Sequence, residues 1–117
     1  MNLLKDSIIL EKSMDFAVRI VDLYKYLCSD KRDFVLSKQL LRSGTSIGAN
    51  VHEAVYAQSR KDFVAKLSIA LKEASETKYW LKLLYNTNYL TIIQYESINN
   101  NCLEILKILT SIIKNSK

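Results

Sequence analysis

The sequence predicts an all-α protein, an up-down-up-down antiparallel four-helix bundle. The chain of 117 residues has no proline and two glycines, and 49% of its residues are hydrophobic. Proline and glycine are the usual markers of strand ends and long loops, so little in this chain interrupts helices. Apolar residues recur at alternating spacings of three and four, as in bundle helices. This length can bury a core without disulfides or metals, and we predict one domain over residues 1–117.

The first helix is predicted over about residues 7–28, with two apolar rows side by side. The two rows predict a wide buried face, wider than one partner helix covers. The polar segment 29–33 is a short connection, which implies an antiparallel neighbour. The row expected to form the bundle seam, here called the first row, comprises Leu10, Met14, Ala17, Val21, Tyr24 and Cys28. The second row comprises Phe16, Ile20, Leu23 and Leu27.

The second helix is predicted over about residues 34–57 and contains both glycines. Each interior glycine disfavours a helix by about 1 kcal/mol relative to alanine, so Gly44 and Gly48 need a reason to be there. They lie one turn apart, which favours close packing of a neighbouring helix over a hinge or a ligand contact. The apolar arc that includes Gly44 also contains Leu36, Leu40, Ile47, Val51, Ala54 and Val55.

A polar row runs beside that arc, comprising Gln39, Ser43, Ser46, Asn50 and Glu53. One interpretation is a solvated face. The other is a buried network in which Asn50 and Glu53 bond to a neighbouring helix and fix its register. Arg42 at the edge of the row is a candidate partner for Glu53 or for another subunit.

Capping signatures begin the last two helices, predicted over about residues 60–85 and 91–114. Ser59 with Asp62 is an N-cap pattern, Thr91 with Gln94 is a capping box, and the polar segment 86–88 suits a C-terminal cap. In the third helix, Ala70 and Ala74 are small enough to be the surface that packs on the glycines. The apolar row of the third helix comprises Phe63, Leu67, Ala70, Ala74, Thr77, Leu81 and Leu84. The apolar row of the fourth helix comprises Tyr95, Ile98, Cys102, Ile105, Leu109 and Ile112, and Leu106 and Ile113 widen this row.

Catalysis is the function that the sequence supports least. His52 is the single histidine, so neither His-x-x-x-His nor Glu-x-x-His metal pairs exist. Cys28 and Cys102 occupy row positions in separate helices, as buried reduced thiols do. Glu53, Glu73 and Glu76 are the ordinary carboxylates of helix surfaces. We predict no catalytic residue, no metal and no cofactor.

The charge distribution is compatible with a polyanion partner but does not require one, since basic bundles that bind no nucleic acid are common. The net charge is +5, and residues 34–90 carry eight basic against four acidic side chains. Lysine and arginine neutralise phosphates with release of counterions. No helix-turn-helix, RNP or zinc-finger signature accompanies them, so we expect recognition led by charge or shape. The candidate contacts are Lys38, Arg42, Arg60, Lys61 and Lys66, with Lys72, Lys78 and Lys82 further along the chain; seven tyrosines and Trp80 could add stacking surfaces.

No apolar run reaches the roughly 20 residues that span a bilayer, and charged Lys5, Asp6 and Glu11 interrupt the N-terminal segment. We therefore expect a cytoplasmic protein without a membrane partner. The leading hypothesis is a non-enzymatic, oligomeric bundle that binds RNA or a nucleoprotein. The alternative is a protein-interaction scaffold with no nucleic-acid role.

The chain resembles the bacterial four-helix bundle family whose founding members are encoded in intervening sequences of 23S rRNA genes. The segments that carry the resemblance are residues 39–50, Glu53-Ala54, residues 59–63 and residues 69–81. Members are often called ribosomal proteins. The resemblance covers about residues 8–115 and includes Arg42, Ser43, Gly44, Ser46, Gly48, Asn50 and Glu53. His52 departs from it, because a less bulky or differently charged residue is usual there.

The resemblance implies a homopentameric ring and no catalytic residues. It also extends to the accessory variability protein of diversity-generating retroelements, a strongly basic relative that binds a reverse transcriptase. RNA, or a protein that handles nucleic acid, is therefore a partner that the resemblance makes reasonable, beside further copies of the chain itself.

Overall fold

Four helices form an antiparallel bundle in a computed structural model that describes residues 8–117. Each helix packs on the next in sequence, and α1 also contacts α4, which closes the bundle. The all-α, up-down-up-down prediction is confirmed; the predicted start at residue 7 lies outside the described residues. None of the described helices combines the length and apolar character needed to cross a membrane. The helices are α1 (Ile8–Ser29), α2 (Leu36–Ala54), α3 (Arg60–Asn86) and α4 (Ile92–Ser116).

Helix α2 is shorter at both ends than the predicted range 34–57. At its start, the Asp33 carboxylate accepts a hydrogen bond from the Ser37 backbone N–H (2.7 Å), and the Ser37 hydroxyl donates to the Asp33 carbonyl (2.7 Å). This local turn holds residues 34 and 35 outside the helix. After Ala54 the backbone N–H groups of residues 55–57 bond to carbonyls three residues back, so the chain tightens and leaves the α-helical ladder.

The predicted caps of α3 and α4 are confirmed. The Ser59 hydroxyl accepts from the Asp62 N–H at 3.0 Å, and both bonds of the Thr91–Gln94 capping box are present. After α3, Asn88 adopts a left-handed conformation with φ of 68°, which asparagine tolerates better than most residues. These caps keep the α3–α4 connection short and the two helices antiparallel.

The predicted cores of α3 and α4 are close to those observed. All seven residues of the predicted α3 row are buried. In α4 the row from Ile98 to Leu109 is buried, but Tyr95 and Ile112 are only half-buried and Ile113 takes the last core position. The spacing of apolar residues therefore predicts correctly which face of α3 and α4 is buried, except at the two ends of α4.

The predicted buried face of α1 is confirmed for Phe16, Ile20 and Leu27 of the second row and is wrong for Met14 of the first row. The buried residues of α1 are Ile9, Ser13, Phe16, Ile20 and Leu27, which extend the second row back by two members. The first row lies at the edge of the core, where five of its six members are half-buried and Met14 is 61% exposed. Ser13 is the physical reason, because a polar residue interrupts the apolar spacing of the true core row; it is nevertheless buried, with its hydroxyl donating to the Leu10 carbonyl.

Both glycines of α2 face α1. A Cβ placed on Gly44 would lie 2.8 Å from the Cγ1 and Cγ2 atoms of Ile20, and one on Gly48 would lie 3.2 Å from the Ser13 carbonyl oxygen. The close-packing prediction is therefore confirmed, but the proposed packing surface on Ala70 and Ala74 is wrong. Ala74 instead accepts a hydrogen bond at its carbonyl from the Cys102 thiol of α4.

We predict that Gly44→Ala lowers the free energy of unfolding by about 1–3 kcal/mol, the range for overpacked cores, despite the helix-propensity gain of about 1 kcal/mol. The added methyl collides with both branches of the fully buried Ile20 side chain. Urea denaturation of Gly44→Ala, Ile20→Ala and the double variant measures this. In the Ile20→Ala background the glycine substitution should become neutral or stabilising; an equal effect in both backgrounds would contradict the contact.

Candidate functional site

A large groove lies between the outer sides of α1 and α2. It encloses about 970 Å³ and is mostly apolar. It forms because the α1 core row turns inward and leaves the first row facing outward beside α2. The lining comprises Leu10, Glu11, Ser13, Met14, Ala17, Thr45, Gly48, Ala49, His52 and Glu53. Sequence reasoning missed this site, although the unbroken spacing of the first row was its signal.

The acidic residues and the histidine of the groove are exposed, whereas Ser13 is buried. His52 is exposed and packs its ring edge-on against Tyr56, with ring centroids 5.9 Å apart. Glu53 forms an ion pair of 3.1 Å with Lys66 of α3, and Glu11 is exposed on α1. No group of three or more metal-binding side chains occurs in residues 8–117. The groove is therefore a surface for apolar contact with an acidic edge.

The polar row of α2 divides into three parts. Ser43 is fully buried, and the Thr77 hydroxyl of α3 donates to its oxygen at 2.9 Å while sharing its proton with the Glu73 carbonyl at 2.8 Å. Ser46 and Asn50 are half-buried and bond to carbonyls of their own helix. Gln39 and Glu53 are exposed. The buried-network interpretation is thus right for Ser43 and wrong for Asn50.

Arg42 pairs with α3 and not with Glu53. Its guanidinium forms an ion pair of 3.3 Å with Glu73 and a second one with Glu76. The Glu76 carboxylate also accepts from the Trp80 indole N–H at 2.9 Å. Because Arg42 is 49% exposed, water screens these pairs, and each contributes at most about 1 kcal/mol to stability. Their geometry holds one side of the α2–α3 interface in register.

The five side chains predicted to contact phosphate differ in whether they already form an ion pair within the protein. Arg42 and Lys66 already neutralise carboxylates of the protein itself. Arg60 is exposed and donates to the Ser116 carbonyl at 3.2 Å. Lys38 and Lys61 are exposed and take part in no ion pair among residues 8–117. The structure therefore does not gather the five side chains into a single patch.

Three further lysines of α3 are also exposed, namely Lys72, Lys78 and Lys82. The Nζ atom of Lys82 lies 5.7 Å and 5.5 Å from the ring centroids of Tyr85 and Tyr95. These two rings stack on each other with centroids 4.8 Å apart. The stacked rings of Tyr85 and Tyr95 therefore join α3 to α4, and the ring faces that stack on each other are not available to a base.

The two cysteines differ in their surroundings. Cys102 is buried against α3, and burial raises the pKa of its thiol to about 12, an effect that the nearby Lys78 charge partly offsets. Cys28 is half-buried with its thiol 3.7 Å from the Ser37 hydroxyl, and its proximity raises the pKa of the Tyr24 hydroxyl. Both thiols are free. At Cys102 burial outweighs the Lys78 charge, so this thiol is not activated as a nucleophile.

Fold and site together define a small four-helix bundle that presents an apolar groove on one side and a lysine-bearing helix on another. The chain belongs to the 23S rRNA-intervening sequence protein family, whose model matches residues 5–111. It is similar to a crystal structure of a protein with unknown function from the S23 ribosomal protein family of Bacteroides thetaiotaomicron VPI-5482. The two share 64% sequence identity and a TM-score of 0.92 over 94% of this chain and 98% of the other. Comparison with curated proteins gives no match.

We predict that Thr77→Val lowers the free energy of unfolding by about 1–2 kcal/mol, because it leaves the buried Ser43 hydroxyl without its cross-helix partner. Urea denaturation measures the effect. Adding Ser43→Ala should restore much of the loss, since no unpaired polar group then remains. Thr110→Val is the matched control, because the exposed Thr110 hydroxyl bonds only to its own helix. Additive losses in the double variant would contradict the pairing.

We predict that Cys102 resists thiol reagents in the folded protein at pH 8, since its raised pKa keeps the thiol protonated and buried. In a Cys28→Ser variant, a colorimetric thiol titration should detect no thiol in buffer and one in urea. The unfolded thiol ionises near its ordinary pKa of 9.0 while the folded one does not, so stability should fall as the pH rises from 9 towards 12. Rapid labelling of the folded variant would contradict the burial.

Proposed function

We propose that this protein is a non-enzymatic, cytoplasmic, self-associating bundle that binds RNA or a nucleoprotein through the exposed lysines of α3. The observation that carries the proposal is the state of Lys61, Lys72, Lys78 and Lys82. All four are exposed, whereas the ion pairs within residues 8–117 use Lys12, Arg42 and Lys66 as their cations. These four lysines are cations of α3 that no carboxylate neutralises within residues 8–117.

The spacing of these lysines suits a polyanion better than a small anion. From Lys61 to Lys82 the helix axis rises about 31 Å at 1.5 Å per residue, a length that several successive phosphates would occupy. Such spread contacts give affinity through counterion release and carry little sequence information. Lys38 and Arg60 of the predicted set stay in the proposed surface, while Arg42 and Lys66 are removed from it because carboxylates already neutralise them.

Self-association is proposed on separate grounds. A monomeric bundle needs one apolar stripe per helix, yet α1 carries a second one that faces outward. Large exposed apolar patches on soluble proteins usually mark interaction sites. The number of copies is proposed to be five, which the family resemblance implies.

Filter binding to a structured RNA over a range of salt concentrations tests the nucleic-acid proposal. The logarithm of the affinity should fall linearly with the logarithm of the salt concentration. In Lys72→Gln/Lys78→Gln the affinity should drop several-fold at low salt and the slope should decrease by about 1–2, up to about 0.9 for each contact removed.

The control for this experiment is Lys12→Gln/Lys66→Gln, which removes the same charge from lysines that are paired with carboxylates. Its slope should stay near that of the unmodified protein. Absence of binding at low salt, binding indifferent to salt, or equal effects of the two double variants would each exclude phosphate contact by the exposed lysines.

The alternative is a protein-interaction scaffold with no nucleic-acid role, and the apolar groove between α1 and α2 favours it. The two candidates differ in their response to nuclease. A scaffold retains its partner when the lysate is treated with nuclease, whereas a partner held through RNA is lost.

A further inference from the structure

The side of α3 that faces away from the core carries a continuous row of exposed residues, none of which is a carboxylate. Successive members are three or four residues apart, so they lie on one side of the helix. We call this set the outer row of α3, and its members are Lys61, Ala65, Ser68, Lys72, Ser75, Tyr79, Lys82 and Asn86. All eight are exposed. A polyanion that lies along this row therefore meets cations and neutral side chains.

Tyr79 is the one aromatic member of the outer row, and it is 59% exposed. Lys72 lies two turns before it and Lys82 one turn after it, at rises along the helix axis of about 10 Å and about 4.5 Å. The core of a protein–protein interface is depleted in charged residues, whereas the cations of this row flank the ring. An exposed ring between lysines combines the two parts of a site for single-stranded nucleic acid, a stacking surface and cations for the backbone.

The Tyr79 ring is held in place by its neighbours. It packs edge-on with the ring of Trp80, with centroids 5.1 Å apart and an interplanar angle of 73°. The Trp80 indole N–H in turn donates to the Glu76 carboxylate at 2.9 Å, and Glu76 pairs with Arg42 of α2. Because the ring is already supported on one side, it loses less conformational freedom when a ligand stacks on it.

The ion pair of Arg42 also removes an obstacle beside this ring. Glu76 lies one turn before Tyr79 on α3, where its negative charge alone would repel a phosphate. The Arg42 guanidinium pairs with Glu76 and with Glu73, so both carboxylates on this side of α3 are compensated. Arg42 is therefore a positioning residue for the site rather than a contact to phosphate.

We propose that Tyr79 stacks on an unpaired base of an RNA whose phosphates contact Lys72 and Lys82. The inference rests on the proposed binding of RNA through α3 and deepens it by naming the class of RNA, which is a single strand or an unpaired segment. In a continuous duplex the neighbouring base pairs cover both faces of each base, so only the phosphates are accessible to α3. Unpaired bases can turn outward and stack on an aromatic side chain.

Fluorescence anisotropy with a single-stranded RNA, and with the same strand in a duplex, tests the proposal. The unmodified protein should bind the single strand more tightly. Tyr79→Ala should weaken binding of the single strand by about 5- to 100-fold, the usual effect of losing one stacked base. Its affinity for the duplex and the salt dependence of binding should not change, because no charge is removed.

Two further variants serve as controls. Tyr79→Phe keeps the ring and should bind both RNAs like the unmodified protein. Tyr56→Ala removes a tyrosine that is 71% exposed outside α3, and it should have no effect. Tyr79 is exposed, so Tyr79→Ala should fold, and thermal unfolding monitors this.

The outcomes separate this inference from the proposed function. Suppose that Lys72→Gln/Lys78→Gln weakens binding while Tyr79→Ala binds the single strand normally, or loses both RNAs to the same extent. Stacking on Tyr79 is then overturned and phosphate contact by the lysines stands. A preference of the unmodified protein for the duplex has the same meaning. If the unmodified protein binds neither RNA at low salt, both proposals are overturned.

Discussion

The close approach of α1 to α2 at the two glycines is the constraint on which the rest of the structure depends. Ile20 fills the space above Gly44, and the Ser13 carbonyl comes within 3.2 Å of the position of a Cβ on Gly48. These contacts fix how α1 is rotated about its own axis. Since successive residues of a helix are separated by about 100°, directing Ser13 inward turns Met14 away from the core. The groove, which no helix among residues 8–117 covers, is thus a consequence of the same contact that closes the bundle.

The polar side chains of α2 set its position against α3. Ser43 and Thr77 form the one buried link, where an unpaired hydroxyl would be unfavourable, so their pairing selects a register. Arg42 with Glu73 and Glu76, and Glu53 with Lys66, extend the link onto the surface, where water weakens each pair. Register is therefore fixed in the core, and the surface pairs reinforce it while removing two cations from any interaction with phosphate.

The accuracy of sequence reasoning differed between the helices for a physical reason. In α3 a single apolar row exists, and all seven of its predicted members are buried. In α1 two rows exist, and periodicity cannot say which of them faces the core. The choice depends on Gly44 and Gly48 in another helix, which is tertiary information. The ion pairs of the candidate cations could not be predicted for a similar reason, because nothing in the spacing of Arg42 or Lys66 shows that carboxylates of the folded chain will pair with them.

Hydroxyl-radical footprinting of the unmodified protein tests most directly the claim that the outward row of α1 is covered by another copy. Met14 is 61% exposed and Tyr79 is 59% exposed in the single bundle, so Tyr79 provides an internal reference. Each modification rate is compared with that of the same residue in the digested peptide. The account predicts strong protection of Met14 at high protein concentration and little protection of Tyr79. If Met14 and Tyr79 show the same small protection relative to their peptides, and this protection does not change with protein concentration, the account is contradicted.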